Sequence, residues 1–433
     1  MGTVITYGSF DYLHYGHIRL LERAKQLGDY LIVGVTSDSF DASRGKTNVQ
    51  QPLIERIENV RSTHLADQII VEEYEGQKID DIIKYNVKIF AIGSDWEGKF
   101  DYLKDYCEVV YLPRTEGISS SQIRSEKKVR LGFITDNALV QKCIQESSAV
   151  NGITITRVYC DNIKLVDLDS KIIANSLDDV IMNSDAVGVY LSPKKRFDCV
   201  KKCIMAGKHV ICESPICTSS SEFEILHSLA SKNNVVLMDS IKTAYLLGYN
   251  RMEKMIKSEI IGDVKSIDVT CTNLKHVTGV EKWGSLSTWG PIALYPVLSI
   301  FGLNYNQSEI TTYMPDGIDL FTKIDFQYPY SVASVRVGSG VKSEGQLIIS
   351  GTKGYIMVPS PWWKTEYFEV RYEDQNNNRR YFYKMMGDGL QSMFMFFYQE
   401  ILLNNKGVVK AELSRTLVNI VEQLYSSKTN RIE

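Results

Sequence analysis

Short apolar runs alternate with stretches of helical spacing over the first 125 residues of this chain. The run Val4 to Tyr7 is typical of a buried parallel strand, and beyond Tyr15 apolar residues recur at intervals of three and four, which predicts a helix. The pattern continues with strands over 30–35, 68–71, 88–92 and 108–112 and helices over 52–61 and 78–85. Such alternation predicts an α/β fold with a doubly wound parallel sheet, whose ligands bind at the carboxyl ends of the strands.

A second pattern of the same kind begins beyond a charged stretch, Arg124 to Lys128. It opens with an apolar run over 129–134, followed by a predicted helix and by a strand over 154–159 that leads to Asp161. Two further segments of the same kind follow over 185–193 and 206–215. The chain therefore holds more than one domain, as its length of 433 residues also indicates.

The segment Gly8 to His17, with sequence GSFDYLHYGH, joins the first predicted strand to the first predicted helix. A helix that starts directly after a strand directs backbone N–H groups and the positive end of its dipole toward the sheet edge, where an anion can bind. His14 and His17 lie one helical turn apart at this point, which favours phosphate chemistry. A zinc pair would need a spacing of four with an intervening Glu, and no Cys or further His lies nearby. Two histidines with a purely structural role remain the other alternative.

This segment resembles the signature Gly-Ser-Phe-Asp-x-x-His-x-Gly-His of the small cytidylyltransferases in the nucleotidyltransferase superfamily. Two further motifs follow in the expected order. The stretch Gly93 to Phe100, GSDWEGKF, is similar to the glycerol-3-phosphate cytidylyltransferase subfamily, and Arg114 to Ser121, RTEGISSS, resembles the family motif Arg-Thr-x-Gly-Ile-Ser-Thr-Thr. The resemblance extends from residue 1 to about residue 125.

The resemblance implies a role for each motif residue. Attack on the α-phosphorus of CTP builds charge on phosphate oxygens, so positioned donors matter more than a covalent nucleophile. The residues that would act in catalysis are His14, His17, Lys46, Arg114 and Ser120. Those that would bind CTP are Ser9, Phe10, Tyr15, Gly16, Asp95, Thr115, Gly117, Ile118, Ser119 and Ser121. Arg44 and Lys78 would bind the phosphorylated alcohol, Mg²⁺ would arrive with CTP, and no metal site built from protein ligands is expected.

Some of these residues also allow a plainer interpretation. Without the resemblance, Lys46 and Lys78 would be interpreted as solvated surface lysines. Asp95 and Trp96 would be interpreted as the start of a capped helix with a tryptophan that packs against the protein. The contacts of these side chains in the folded protein distinguish the two interpretations.

The second pattern resembles the Gfo/Idh/MocA oxidoreductase family, in which a Rossmann half is followed by an open mixed sheet. The segments that carry the resemblance are 129–134, 185–193, 206–215, 260–264, 351–358 and 361–363. It implies a cytidylyltransferase domain over 1–126, a Rossmann-like domain over 127–245 and an α+β domain with an open mixed sheet over 246–433.

Several positions depart from what a dehydrogenase of that family requires. The Gly-x-Gly-x-x-Gly fingerprint lets the backbone approach a pyrophosphate, and the aligned residues here lack it. The departures are Thr135, Asn137 and Val140 for the three glycines, Asp136 between the first two, Ser214 for the lysine of Glu-Lys-Pro, and Thr288 and Ile292 for a carboxylate and a Tyr or His. NAD(P) binding is therefore not expected.

Composition narrows the function only slightly. The net charge of −3 gives no electrostatic case for nucleic acid, and no apolar run is long enough to span a membrane. The amino terminus shows no secretory signal pattern, and eight scattered cysteines, among them Cys199 and Cys203 one turn apart, suggest packing in a reducing compartment. The cytoplasm is the expected location.

The sequence thus predicts a cytidylyltransferase that converts CTP and sn-glycerol 3-phosphate into CDP-glycerol and pyrophosphate, for a surface polymer such as teichoic acid or capsule. We expect a homodimer whose oxidoreductase-like part is inactive. One alternative is a bifunctional enzyme whose second part is an NAD(P)-dependent reductase that makes the polyol phosphate. Another is a second part that serves as a non-enzymatic dimerisation or recruiting module. The sequence leaves the identity of the polyol phosphate open.

Overall fold

The computed structural model describes residues 2–11, 13, 15–43, 49, 51–113, 128–150, 152–161, 168–274, 284–383, 387–403, 409–424 and 429–432. The chain forms two compact units. The first comprises Met1–Lys128 with Val150–Gly152, and the second comprises Val129–Ala149 with Ile153–Glu433. Within the described ranges, no helix has both the length and the apolar character needed to cross a membrane.

The first unit is an alternation of strands and helices. Its elements are β1 Thr3–Gly8, α1 Tyr15–Lys25, β2 Tyr30–Thr36, α2 Asp38–Ser43, α3 Leu53–Ser62, β3 Gln68–Glu72, α4 Gln77–Lys84, β4 Val87–Gly93 and β5 Glu108–Leu112. The strands pair in parallel in the order β3-β2-β1-β4-β5, which confirms the predicted doubly wound sheet. The sequence pattern does not predict α2, which starts beyond Ser37, where the hydroxyl oxygen accepts a 3.1 Å hydrogen bond from the backbone N–H of Phe40.

Side chains from β1 alternate between two apolar layers, one on each face of this sheet. Val4 packs with Leu21 of α1 on one face, and Ile5 and Tyr7 pack with Phe90 on the other. All five side chains are buried. Because successive residues of a strand point to opposite faces, this short apolar strand serves both layers and lies at the centre of the sheet.

The second unit begins with a Rossmann-like half. Its elements are β6 Val129–Thr135, α5 Leu139–Ser148, β7 Ile153–Cys160, α6 Leu177–Met182, β8 Ala186–Tyr190, α7 Pro193–Met205, β9 His209–Glu213, α8 Ser220–Lys232 and β10 Leu237–Ser240. The strands form a parallel sheet in the order β10-β9-β8-β6-β7. Cys199 and Cys203 of α7 pack in the apolar core against this sheet.

A mixed sheet completes the second unit. Its elements are α9 Leu247–Lys257, β11 Val264–Asn273, α10 Ser285–Ile300, β12 Gln307–Tyr313, β13 Phe321–Gln327, β14 Val332–Ser339, β15 Leu347–Gly351, β16 Tyr355–Val358, β17 Tyr367–Arg371, β18 Arg379–Phe382, α11 Leu390–Leu403, α12 Ala411–Gln423 and β19 Asn430–Ile432. Nine strands pair in the order β18-β17-β16-β15-β11-β14-β13-β12-β19, with β11 parallel to β14 and antiparallel to β15. This order confirms the predicted open mixed sheet.

Candidate active site

The strand order of the first unit reverses between β1 and β4, and two of the sequence motifs lie at this reversal. Because β1 and β4 are parallel neighbours, their carboxyl ends lie side by side. Strand β1 ends at Gly8 and is followed by Ser9 and Phe10, while β4 ends at Gly93 and is followed by a short helical turn, Ser94–Trp96. Ligands of open α/β sheets bind at such a reversal.

The turn after β1 is shaped by Phe10. This residue has a φ of +50°, a left-handed conformation that is uncommon for a residue with a bulky side chain. The ring folds back so closely that a Cβ atom on Gly8 would lie 3.1 Å from it. On its other side the ring lies edge-on to the imidazole of His17, with 5.5 Å between the ring centroids. The motif residues therefore fix each other's positions at the start of α1.

A buried arginine that the sequence analysis did not single out holds this turn in place. The guanidinium of Arg56 donates hydrogen bonds of 2.6 Å to the carbonyl oxygen of Ser9, 2.9 Å to the carbonyl oxygen of Gln51 and 2.6 Å to the carboxylate of Asp38. Arg56 is fully buried. One sequence feature could have identified Arg56: it is a charged residue on the apolar face of α3, four residues before the buried Val60.

The chain around Gln51 is anchored to the motif a second time. The buried carboxylate of Asp11 accepts a 2.9 Å hydrogen bond from the backbone N–H of Gln51. Arg44 and Lys46, which precede this anchor, lie outside the described residues. This hydrogen bond ties Gln51, at the start of the segment before α3, to the motif.

Lys78 occupies the face of the sheet opposite α1. Its ammonium group pairs with the carboxylate of Glu72 and lies 4.7 Å from the ring centroid of Tyr7 and 5.5 Å from that of Phe100. Lys78 is 8% exposed and Glu72 is 1% exposed. The other oxygen of Glu72, Oε2, is buried with no hydrogen-bond partner among the described residues. The interpretation of Lys78 as a solvated surface lysine is therefore wrong, and its contact with the phosphorylated alcohol stays a prediction.

Tyr7 links this face to α4. Its hydroxyl donates a 2.8 Å hydrogen bond to the carboxylate of Asp81. The side-chain amide of Gln77 donates a 3.0 Å hydrogen bond to the same carboxylate. Burial, together with Asp81, raises the pKa of Tyr7 well above its usual range, so the phenol stays protonated. The hydroxyl is thus a fixed donor that holds the Tyr7 ring under Lys78.

Asp95 lies in the first turn after β4, on the surface. Trp96, which follows it, is 40% exposed and packs against Phe100 at a centroid distance of 5.8 Å. The ammonium group of Lys99 lies 5.0 Å from the Trp96 ring centroid. The tryptophan thus packs against a neighbouring ring, as the plainer interpretation expects, and the contact of Asp95 with CTP stays a prediction.

The remaining predicted residues are placed only in part. Gly16 and the backbone of Tyr15 lie in the first turn of α1 with His17. Outside the described residues lie His14, Arg44, Lys46, Arg114, Thr115, Gly117, Ile118, Ser119, Ser120 and Ser121. Within the described ranges, no group of three or more His, Cys, Asp or Glu residues is arranged to hold a metal ion.

In the second unit, the turn after β6 is occupied by a carboxylate. Asp136 accepts hydrogen bonds from the backbone N–H of Ser192, at 3.0 Å, and from its hydroxyl, at 2.9 Å. Lys195 lies 3.6 Å from Asp136 and 3.2 Å from Asp161, the residue that follows β7. A dinucleotide pyrophosphate at this turn would meet the negative charge of Asp136, so these residues do not fit that group.

The positions where the oxidoreductase family keeps its proton-transfer residues carry other side chains. Ser214 is buried beside Glu213, which pairs with Arg196 at 2.7 Å. Thr288 is exposed, and its hydroxyl donates a 3.0 Å hydrogen bond to the backbone carbonyl oxygen of Gly284, just before α10. Tyr295, three residues beyond Ile292, is buried, and burial raises its pKa well above the usual range.

Comparisons with known proteins divide the chain in the same way. Residues 5–126 match the family described as cytidylyltransferase-like. The glycerol-3-phosphate cytidylyltransferase of Bacillus subtilis strain 168 is 53% identical over 130 residues, which is 29% of this chain and 97% of that protein. The enzyme of the same name from Staphylococcus aureus is 49% identical over 126 residues, which is 29% of this chain and 95% of that protein.

The second unit is similar to oxidoreductases. Residues 138–240 match the oxidoreductase family with an NAD-binding Rossmann fold, and the match begins beyond the Asp136 turn. A 3-ketoreductase from Actinomadura kijaniata, crystallised with NADP and TDP-benzene, superposes with a TM-score of 0.62 over 70% of this chain and 99% of that chain. The two sequences are 14% identical, so this likeness shows the fold alone.

Proposed function

Because the chain belongs through residues 5–126 to the cytidylyltransferase-like family, and is therefore a nucleotidyltransferase, we propose that it transfers CMP from CTP to sn-glycerol 3-phosphate. The products are CDP-glycerol and pyrophosphate. The observation that carries the proposal is the 53% identity to a glycerol-3-phosphate cytidylyltransferase along 97% of that protein's length. By family analogy, the product would feed a bacterial surface polymer, and the enzyme would be a homodimer.

The proposed reaction is a direct displacement. A phosphate oxygen of glycerol 3-phosphate attacks the α-phosphorus of CTP, the bond to the β-phosphate breaks, and pyrophosphate leaves. Mg²⁺ bound to CTP offsets charge on the phosphates. His17, at the start of α1, and His14, just before it, donate hydrogen bonds to oxygens that gain charge in the transition state. Arg56 acts through Ser9, because it holds the turn that places Phe10 against His17.

The acceptor phosphate is proposed to bind beside the charged residues Arg44 and Lys78. The surroundings of Lys78 support this assignment, because two aromatic rings and Glu72 hold its ammonium group in one position. A fixed cation loses little entropy when it binds phosphate. The few side chains on this face would decide which polyol is accepted.

The test is to offer the purified full chain CTP and Mg²⁺ with a panel of polyol phosphates and to identify CDP products by mass spectrometry. CDP-glycerol should form most rapidly. If a different CDP-polyol is the main product, the proposed cytidylyltransferase reaction still holds, but the acceptor is not glycerol 3-phosphate. Absence of pyrophosphate release with every acceptor would contradict the proposed activity.

For the second unit, we infer that it does not transfer hydride. Support comes from the Asp136 carboxylate at the first turn and from Ser214 and Ile292 at positions where the family keeps proton donors. The competing proposal is a bifunctional enzyme, favoured by the fold shared with a 3-ketoreductase crystallised with NADP. Titration of the protein with NADPH, monitored by the fluorescence of the nucleotide, distinguishes the inactive second unit from the bifunctional enzyme.

A further inference from the structure

Two lysines of the second unit pair with one carboxylate, and a third lysine lies near them. Asp388 accepts a 3.0 Å hydrogen bond from Lys364 and pairs with Lys142 as well. The third lysine, Lys242, is close enough to both of these ammonium groups for their charges to act on it. We call this set, Lys142, Lys242, Lys364 and Asp388, the lysine cluster. Its members come from α5 and from three short helical turns that are distant in the sequence.

The segments that carry the lysine cluster are tied to one another. The hydroxyl of Thr243, next to Lys242, donates a 3.2 Å hydrogen bond to the carbonyl oxygen of Trp363, next to Lys364. The turn that carries Asp388 presses against the same region, since a Cβ atom on Gly389 would lie 2.4 Å from the side chain of Leu246. The convergence of charges is therefore built into the packing.

The charges of the lysine cluster do not balance. The cluster contains three lysines and one carboxylate, and only Lys142 and Lys364 pair with that carboxylate, so its formal charge is +2. Burial, followed by the charges of Lys142 and Lys364, lowers the pKa of Lys242, and the nearby Cys143 acts in the opposite direction. An uncompensated charge that is largely buried is unfavourable, and a bound anion would relieve it.

A ligand can reach this position from solvent. The side chain of Lys142 is 42% exposed, that of Lys364 is 35% exposed and that of Asp388 is 26% exposed. Lys242 lies two residues beyond the end of β10, on the carboxyl side of the Rossmann-like sheet. The lysine cluster thus combines the largely buried side chain of Lys242 with three side chains that are partly exposed to solvent.

An unused donor lies next to the lysine cluster. The ring of Trp289 packs on that of Trp363 at a centroid distance of 5.0 Å. Its indole N–H is buried and has no acceptor among the described residues. A buried donor without an acceptor is costly unless a ligand or water supplies one. It is a second and independent observation, on a residue that packs against the neighbour of Lys364, of a polar group that a ligand with acceptor oxygens would satisfy.

We propose that the lysine cluster is a binding site for a small phosphate monoester. A phosphate monoester carries close to two negative charges at neutral pH, which matches the excess charge of the cluster. Lysine ammonium groups act as point charges and suit phosphate oxygens approached from several directions. Asp388 sets the positions of Lys142 and Lys364 and at the same time competes with the ligand for them. All members of the lysine cluster belong to the second unit, and the proposal does not depend on the function proposed for the first unit.

The test is site-resolved lysine acetylation of the full chain, with inorganic phosphate as the probe. Peptide mass spectrometry then reports Lys142, Lys242 and Lys364 separately from any lysine of the first unit. Phosphate at ten times its dissociation constant should slow acetylation of Lys242 about tenfold, because the free fraction falls in that proportion. Lys232, an exposed lysine at the end of α8, should be unaffected, and sodium chloride of equal ionic strength should not reproduce the effect.

Two variants separate a binding site from a structural clamp. Asp388→Asn should shift protection of Lys242 to lower phosphate concentrations, because the competing carboxylate has gone. Lys242→Met removes a poorly compensated charge, so the protein should stay folded, and phosphate should no longer protect Lys142 and Lys364. The proposal is overturned if phosphate protects none of the three lysines, if it protects Lys232 equally, or if Asp388→Asn leaves the protection midpoint unchanged.

Discussion

The guanidinium of Arg56 donates a 2.6 Å hydrogen bond to the backbone carbonyl oxygen of Ser9, and this contact joins α3 to the turn after β1. The turn places Phe10 against His17, so a shift of Ser9 would move the imidazole at the start of α1. The hydrogen bond needs the planar fork of arginine, because the same group also reaches Gln51 and Asp38.

We therefore expect Arg56→Lys to lower kcat by about a hundredfold, the effect of displacing catalytic groups by about 1 Å, with a smaller change in the KM for CTP. Steady-state assays of pyrophosphate release measure both constants. Arg61→Lys is the matched control, because Arg61 lies on the same helix, is exposed and pairs with Glu58. A kcat within twofold of wild type for Arg56→Lys would show that the contact does not position the site.

His17 is expected to act in the transition state. Replacing it with Ala should cost about 3 kcal/mol of transition-state stabilisation, or about a hundredfold or more in kcat, with little change in the KM for CTP. The same loss is expected for His14→Ala. His64→Asn serves as the control, since His64 is exposed and its φ of +57° suits asparagine. Near-normal kcat in both histidine variants would exclude them from the chemistry.

Lys78 has two possible roles, and the buried pair with Glu72 allows them to be separated. Lys78→Met alone leaves Glu72 buried and unpaired, which costs about 3–5 kcal/mol of stability. The double variant Lys78→Met with Glu72→Gln removes both charges and should recover most of the unfolding free energy. If Lys78 binds the acceptor phosphate, the double variant still has a raised KM for glycerol 3-phosphate and a normal KM for CTP.

Urea unfolding and steady-state kinetics of the two variants measure these quantities. Arg44→Ala should likewise raise the KM for glycerol 3-phosphate. Full recovery of activity in the double variant would mean that Lys78 is a structural residue. If the variants raise only the KM for CTP, Arg44 and Lys78 bind the nucleotide and not the acceptor phosphate.

The sequence predicted the elements of the first unit well, because short parallel strands and amphipathic helices leave clear periodicities. It did not predict the role of Arg56, because a charged residue on a helix is normally exposed and its partners Ser9 and Asp38 are distant in the chain. The ion pair of Lys78 was also missed, because Glu72 is brought to it by the turn between β3 and α4. Patterns along the chain report burial, whereas these contacts depend on how separate elements pack.

The same limit applies to Asp136. The sequence shows a carboxylate where glycine is required, but not that Ser192, which lies 56 residues further along, supplies two donors to it. Those donors come from the start of α7, which only the parallel pairing of β6 and β8 places nearby. Sequence reasoning identified the repulsion, and the structure adds the partner that stabilises the carboxylate.

Two buried acids should make the stability of the second unit depend on pH. Burial raises the pKa of Asp239 to about 6 and that of Glu400 to about 7. Between the unfolded values of about 4 and these folded values, the folded state binds more protons than the unfolded state, so the free energy of unfolding falls as pH rises. The contribution is complete below about pH 4 and is lost above about pH 7, and it amounts to about 2–3 kcal/mol for each acid.

Urea unfolding at pH 5 and pH 8 measures this dependence. Glu400→Gln mimics the protonated acid and should reduce the fall in unfolding free energy between the two pH values, and Asp239→Asn should reduce it as well. Glu422→Gln, on the surface of α12, should leave the difference unchanged. An unaltered pH dependence in both core variants would contradict the assignment.

The last prediction is that the full chain neither binds NADPH with micromolar affinity nor oxidises it with keto-polyol phosphates. Pyrophosphate needs backbone N–H groups at the first βα turn, and there the Asp136 carboxylate already accepts from Ser192 and lies 3.6 Å from Lys195. Hydride transfer to a carbonyl needs a proton donor, and the hydroxyl of Ser214 is too weak an acid to replace an ammonium group efficiently.

Calorimetry and NADPH fluorescence measure binding, and absorbance of NADPH measures turnover. Asp136→Gly removes the repelling charge and frees the Ser192 N–H, so this variant should bind NADPH more tightly than wild type while still failing to oxidise it. Asp161→Gly, which removes the other carboxylate beside Lys195, is the control that leaves Asp136 in place. Micromolar NADPH affinity with turnover in the wild-type chain would establish the bifunctional enzyme instead.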